Sequence, residues 1–70
     1  MRKNLKKLRT IDNTLTQGEM AERIGVSRNY YCFVESGRTN GSLKFWSDVQ
    51  KAFNVPDSEM YPLMRNEGVE

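Results

Sequence analysis

The stretch from Thr16 to Gly37 decides the fold, and it reads TQGEMAERIGVSRNYYCFVESG. Thr16 and Glu19 have the spacing of a capping box, in which two side chains satisfy free backbone N–H groups at a helix start. Gly25 stands where the end of a helix favours a residue in the left-handed conformation. Ser27 can cap a second helix, which Gly37 then ends. The stretch therefore predicts two short helices joined by a tight turn.

Apolar residues recur at helical spacing in both predicted helices. Met20, Ala21 and Ile24 fall on one face of the first helix, and Ala21 is small enough for a second helix to cross closely. At about 100° per residue, Tyr31 and Val34 share one side of the second helix. We expect these five side chains to be buried.

This arrangement resembles the phage-repressor and Cro-like family of helix-turn-helix regulators, in which the second helix enters the DNA major groove. The resemblance extends over roughly residues 5–60. The matching residues are Leu8, Arg9, Leu15, Thr16, Gln17, Glu19, Met20, Ala21, Ile24, Gly25, Val26, Ser27, Glu35, Ser36, Gly37, Arg38, Ser42 and Leu43.

The resemblance implies an all-α fold of five helices like that of lambda repressor, with the helix-turn-helix at helices 2 and 3. We expect one domain over residues 1–70, with a core over about 4–61 and a tail over about 66–70. A chain of this length makes at most one domain and buries a thin core, so helix packing or dimerisation must add stability.

The resemblance also implies a function, which is sequence-specific binding of double-stranded DNA by a transcriptional regulator. We expect a repressor that binds a palindromic operator as a homodimer, with the helix over 28–36 in the major groove. The expected location is the cytoplasm of a bacterial or phage-infected bacterial cell. The alternative is a protein-interaction module of the same fold, such as an antitoxin or an accessory regulator.

The second helix and the loop after it supply most of the predicted DNA contacts. Asn29 and Phe33 lie opposite the Tyr31 side, and arginine and asparagine can make bidentate contacts to guanine and adenine. Packing against the following loop is the alternative for Phe33 and its neighbour Tyr30. In the family, a glutamine at the start of helix 2 contacts the DNA backbone and braces a recognition-helix side chain. The predicted DNA-binding residues are Gln17, Arg28, Asn29, Tyr30, Phe33, Arg38, Thr39 and Asn40.

The resemblance further implies a structural ion pair between Arg9 and Glu35, which would hold the first helix against the third. Losing one partner of such a buried pair costs about 3–5 kcal/mol, because the other charge stays buried without compensation. The alternative is two unrelated surface charges.

The composition excludes several other classes of protein. Cys32 is the single cysteine and histidine is absent, so no intramolecular disulfide and no cysteine–histidine zinc site can form. The sequence contains neither a Gly-rich phosphate loop nor a convincing pair of carboxylates, so we do not expect an enzyme. We also expect neither a cofactor nor a metal. A basic start without a long apolar run predicts neither signal peptide nor membrane span.

The charge is distributed unevenly along the chain. Residues 1–54 hold ten Lys/Arg and five Asp/Glu, whereas residues 55–70 hold one arginine against four acidic residues. A basic body suits a polyanionic partner, although ordinary surface charge gives the same count. We expect Arg2, Lys3, Lys6 and Lys7 to lie on the outer face of a first helix over about 4–12, with one or two near phosphate.

Two further helices complete the expected fold. Ser42 can cap a helix over about 43–53, whose predicted core stripe is Leu43, Trp46, Val49 and Phe53, with Phe45 half exposed. Pro56 suits the entry of a last short helix, which Pro62 should disrupt or end. We expect an exposed apolar set that serves as a dimer surface or as a satellite of the core: Val55, Tyr61, Leu63 and Met64.

Overall fold

Five helices make up the part of the chain that the structure, a computed structural model, describes, which is residues 1–66. They are α1 (Lys3–Lys7, continued by a π-helical turn over Leu8–Asp12), α2 (Gln17–Ile24), α3 (Arg28–Ser36), α4 (Leu43–Phe53) and α5 (Asp57–Met64). Helix α1 packs on α3 and α5, and α2 packs on α3 and α4. The predicted all-α fold of the lambda-repressor type is confirmed.

Side-chain caps place the helix ends where the sequence indicated. Thr16 Oγ1 accepts a bond from the Glu19 N–H, and Glu19 Oε1 accepts one from the Thr16 N–H, at 3.1 and 2.8 Å. Ser27 and Ser42 each accept a bond from the N–H three residues further on. Gly25 closes α2 with φ of +79°, which residues with a Cβ rarely adopt. The predicted capping box and turn are confirmed.

One apolar cluster joins all five helices. Its members include the five residues that the helix-turn-helix pattern predicted to be buried. The cluster consists of Leu5, Met20, Ala21, Ile24, Tyr31, Val34, Phe45, Trp46, Val49, Val55 and Leu63.

The predicted core stripe of α4 is wrong at two positions. Leu43 is 88% exposed, whereas Phe45 is 1% exposed and packs edge-on against Trp46 with 4.8 Å between ring centroids. The buried arc of α4 is centred near Val49, and both aromatic rings lie within about 60° of that centre. Leu43 lies about 120° away from it, at the first residue of the helix.

Helix α5 also differs from the expectation. It continues through Pro62 to Met64, because the lost N–H would have bonded to Ser58, whose position is exposed and open to water. Val55 and Leu63, which we expected to be exposed, belong to the core.

Tyr61 and Met64 remain exposed, at 72% and 37%. Of the four residues expected to form a dimer surface or a satellite of the core, only Val55 and Leu63 therefore pack with the core.

Residues at both ends of the described part, 1–66, are attached more closely to the fold than the sequence predicted. Arg2 is 4% exposed, so its assignment to the outer face is wrong. Asn66, expected in a frayed tail, donates from Nδ2 to the Gly37 carbonyl at 3.1 Å and accepts from the amino group of Met1. The remainder of the expected tail, residues 67–70, lies outside the described part.

Substitutions at Phe45 and Leu43 test the corrected face of α4. We expect Phe45→Ala to lower the free energy of unfolding by about 3–5 kcal/mol, because it leaves a cavity in the core. Leu43→Ala, the matched control on the same helix, should change it by less than about 0.5 kcal/mol. Urea unfolding followed by circular dichroism measures both values. Equal losses, or a larger loss for Leu43→Ala, would contradict the packing described here.

Candidate nucleic-acid interface

The rotation of α3 about its own axis decides which side chains face outward. Tyr31 and Val34 are fully buried, and they fix one side of the helix against the core. Gly37 ends the helix with φ of +93°, and its N–H bonds to the Val34 carbonyl at 3.2 Å. The opposite side therefore faces solvent along a helix about 13 Å long, a length that suits a DNA groove.

A buried carboxylate holds this rotation. Glu35, which is 3% exposed, receives Arg9 Nε on Oε1 at 2.9 Å and Arg9 Nη2 on Oε2 at 3.0 Å. The Tyr31 hydroxyl donates to Oε1 at 2.6 Å, and Gln17 Nε2 donates to Oε2 at 3.3 Å. Arg9 also donates from Nη1 to the Leu15 carbonyl at 2.9 Å. One carboxylate thus joins the π-helical turn, α2 and α3.

The protonation states follow from these contacts. Burial alone would raise the pKa of Glu35, but hydrogen bonds from Arg9 and Tyr31 outweigh it, so the pKa lies below its ordinary value. The hydrogen bond to Glu35 raises the pKa of Arg9, and burial raises that of Tyr31. At neutral pH the pair is therefore ionised and the tyrosine carries its proton.

Gln17, predicted to contact the DNA backbone, directs its side chain inward. Its Nε2 donates to Glu35, and its Oε1 accepts from Cys32 Sγ at 3.1 Å. These bonds hold the Gln17 side chain against α3, in agreement with the bracing role that the family resemblance implies. The backbone N–H groups in the first turn of α2 have no partner within a regular helix, and they are suited to an anion.

Arg28 and Asn29 lie at the start of α3 and are exposed. A Cβ built on Gly18 would lie 3.7 Å from Arg28 Cδ, so the arginine stem crosses the first turn of α2. This places the guanidinium group beside the N-terminal end of α2. The Arg28 side chain and the first turn of α2, which also carries the Glu19 carboxylate, are therefore neighbours on this surface.

The two aromatic residues of α3 that were predicted to bind DNA, Tyr30 and Phe33, occupy different surroundings. The half-buried Tyr30 accepts the Ser42 N–H on its hydroxyl at 3.0 Å, and its ring meets Phe45 edge-on at 5.6 Å. Tyr30 therefore packs against the loop after α3, although its hydroxyl proton can still be donated. Phe33 is 46% exposed, and the Arg38 guanidinium lies 5.9 Å from its ring centroid.

The loop between α3 and α4 continues this face. Arg38 and Asn40 are exposed and Thr39 is half-buried. The Arg38 and Thr39 N–H groups both bond to the Phe33 carbonyl, at 3.0 and 3.3 Å. The loop is therefore attached to the end of α3, and its Arg38 side chain lies beside Phe33 on the exposed side of that helix.

Sequence reasoning missed two parts of the site. The Tyr31 hydroxyl joins the Glu35 network, and the spacing of four residues on one helix was a signal for this contact. The second missed residue is Arg2, which reaches the loop from inside, and no pattern in the sequence distinguished it from neighbouring lysines.

No helix within residues 1–66 is long and apolar enough to span a membrane. Within the same part of the chain, no group of three or more metal-ligating side chains lies together.

Comparisons with known proteins agree with this geometry. The family model described as helix-turn-helix matches residues 5–60. An uncharacterised HTH-type transcriptional regulator of Archaeoglobus fulgidus is 36% identical over 61 residues, which cover 87% of this chain and 84% of the relative. Another from Methanocaldococcus jannaschii is 34% identical over 61 residues, covering 87% and 91%. No solved structure gives a significant match. Both relatives are archaeal, so they do not support the expected bacterial or phage host.

A double-mutant cycle tests the network around Glu35. We expect Arg9→Met and Glu35→Met each to lower the free energy of unfolding by about 3–5 kcal/mol, because the remaining charge stays buried. The double variant should lose less than the sum of the two, since it leaves neither charge behind.

The exposed pair Lys44–Asp48, 2.8 Å apart, is the control. Lys44→Met should change the free energy of unfolding by less than about 1 kcal/mol. Chemical denaturation measures all of these variants. Additive losses at Arg9 and Glu35 would show that the two side chains do not act as a pair.

Proposed function

The chain belongs to the helix-turn-helix family of DNA-binding regulators, and we propose that it is a sequence-specific transcriptional repressor. The proposed ligand is a palindromic operator in double-stranded DNA, bound by a homodimer. Its two copies of α3 enter successive major grooves about 34 Å apart. The observation that supports the proposal is the exposed side of α3 opposite the buried Tyr31 edge, with Arg38 of the following loop beside Phe33.

The proposed contacts divide into base reading and backbone binding. Arg28, Asn29 and Phe33 are placed to reach base edges, with guanine, adenine and the thymine methyl group as their matching partners. The α2 N-terminus and the loop side chains of Arg38, Thr39 and Asn40 bind phosphate, which fixes position without specifying sequence. Tyr30 contributes its hydroxyl proton at the edge of this surface.

The proposed mode of repression is occlusion, because a protein bound to its operator blocks access of other proteins to the same DNA. The proposed location is the cytoplasm, where a regulator meets its operator.

A second candidate function is binding of a protein partner through the same surface. The exposure of Phe33 favours it, because an outward aromatic ring in a recognition helix is also suited to a protein interface. Retention on a heparin or DNA column at low salt distinguishes the two, since only DNA binding predicts strong retention that falls steeply with salt.

Selection of bound sites from random duplex DNA identifies the operator, after which fluorescence anisotropy measures discrimination. We expect Arg28→Ala to reduce the ratio of operator to random-DNA affinity by about tenfold, because a bidentate base contact contributes about 1–3 kcal/mol. Lys51→Ala is the control, since Lys51 is an exposed basic residue of α4 that is not among the proposed contacts.

The wild-type protein should bind its operator with an affinity whose logarithm falls linearly with the logarithm of salt concentration. Unchanged discrimination in Arg28→Ala would remove this residue from base reading. A folded wild-type protein that binds no duplex DNA in dilute buffer would remove the proposed function altogether.

A further inference from the structure

Arg2 stands at the centre of a buried cluster of backbone carbonyls. Its Nη1 donates to Val34 O at 2.6 Å and to Thr39 O at 2.9 Å. Its Nη2 donates to Asn40 O at 3.3 Å, and its Nε donates to Met64 O at 2.9 Å. One side chain thereby bonds to α3, to the loop after it and to α5.

This guanidinium group has no carboxylate partner among residues 1–66. Its charge is instead opposed by the carbonyl ends of two helices, since Val34 lies in the last turn of α3 and Met64 is the last residue of α5. Burial lowers the pKa of Arg2 from its ordinary value. An apolar side chain in this place would leave four carbonyls without these hydrogen bonds, so Arg2 holds together the backbone segments that carry them.

The carbonyls that Arg2 binds set the orientation of the loop. Thr39 and Asn40 both turn their carbonyl oxygens inward, and Trp46 Nε1 donates to Asn40 O as well, at 3.1 Å. The Trp46 ring in turn lies 5.4 Å from the guanidinium carbon of Arg2.

The next residue leaves the loop little room to rearrange. Gly41 has φ of +81°, and a Cβ there would lie 2.9 Å from Trp46 Nε1. The loop is thus held from its inner side.

We propose that Arg2 is a positioning residue for DNA backbone binding, acting through the loop that carries Arg38, Thr39 and Asn40. It touches no DNA itself. By holding two consecutive loop carbonyls inside, Arg2 keeps the exposed side chains of Arg38 and Asn40 on the same face as α3. This inference rests on the proposed function, because the loop matters only where a phosphate backbone is bound.

Two variants of Arg2 test the inference in the full chain. Arg2→Met removes every donor and keeps an apolar stem, whereas Arg2→Lys keeps the charge but cannot reach all four carbonyls together. Val49→Ala is the control for general destabilisation, because Val49 is fully buried on α4 and takes no part in the loop contacts. Affinity for the selected operator is measured at a temperature where every variant compared is fully folded.

We expect Arg2→Met to bind the operator about tenfold more weakly. The Arg38 and Thr39 amides should exchange with solvent faster than in the wild type, while amides of α2 are little changed. Arg2→Lys should show a smaller loss of affinity and a smaller increase in loop amide exchange. It replaces Arg2→Met in the test if Arg2→Met does not fold. Val49→Ala should keep wild-type affinity.

The inference is overturned if the folded Arg2 variants bind DNA and exchange their loop amides like the wild type. It is also overturned if Val49→Ala weakens binding equally, since general stability would then explain the loss. A wild-type protein that binds no duplex would instead defeat the proposed function. The amide exchange, measured without DNA, would still decide whether Arg2 positions the loop.

Discussion

The buried carboxylate of Glu35 is the constraint on which the rest of the structure depends. It accepts hydrogen bonds from Arg9, Tyr31 and Gln17, which belong to three separate segments. A buried charge with one partner removed is costly, so these segments keep a single mutual arrangement. That arrangement sets the rotation of α3 and therefore which of its side chains face solvent.

Arg2 complements Glu35 at the same end of α3, where its Nη1 donates to the Val34 carbonyl. Glu35 is an anion that collects donors from α1, α2 and α3, whereas Arg2 is a cation that collects carbonyls from α3, the loop and α5. Both charges are buried, and both contact α3, whose outer side belongs to the candidate interface. A chain of 70 residues has a thin core, so such bonds supplement apolar packing in fixing one geometry.

The sequence predicted those features that depend on neighbouring residues. The capping box at Thr16 and the left-handed Gly25 are local, and their positions follow from hydrogen bonding within one helix turn. The exposure of Leu43 and the burial of Phe45 depend on which side of α4 meets the other helices, and one helix does not determine that. The burial of Arg2 could not be predicted for the same reason, because the carbonyls that it binds lie more than thirty residues away in the sequence.

The central claim is that α3 keeps its Tyr31 edge inside and presents its Asn29 edge to duplex DNA. Titration of the ¹⁵N-labelled wild-type protein with its selected operator, followed by amide chemical shifts, tests this directly. The account predicts the largest shifts in the first turn of α2, along α3 from Arg28 to Phe33, and in the loop over 38–40. Shifts concentrated on α5, with α3 unchanged, would contradict it.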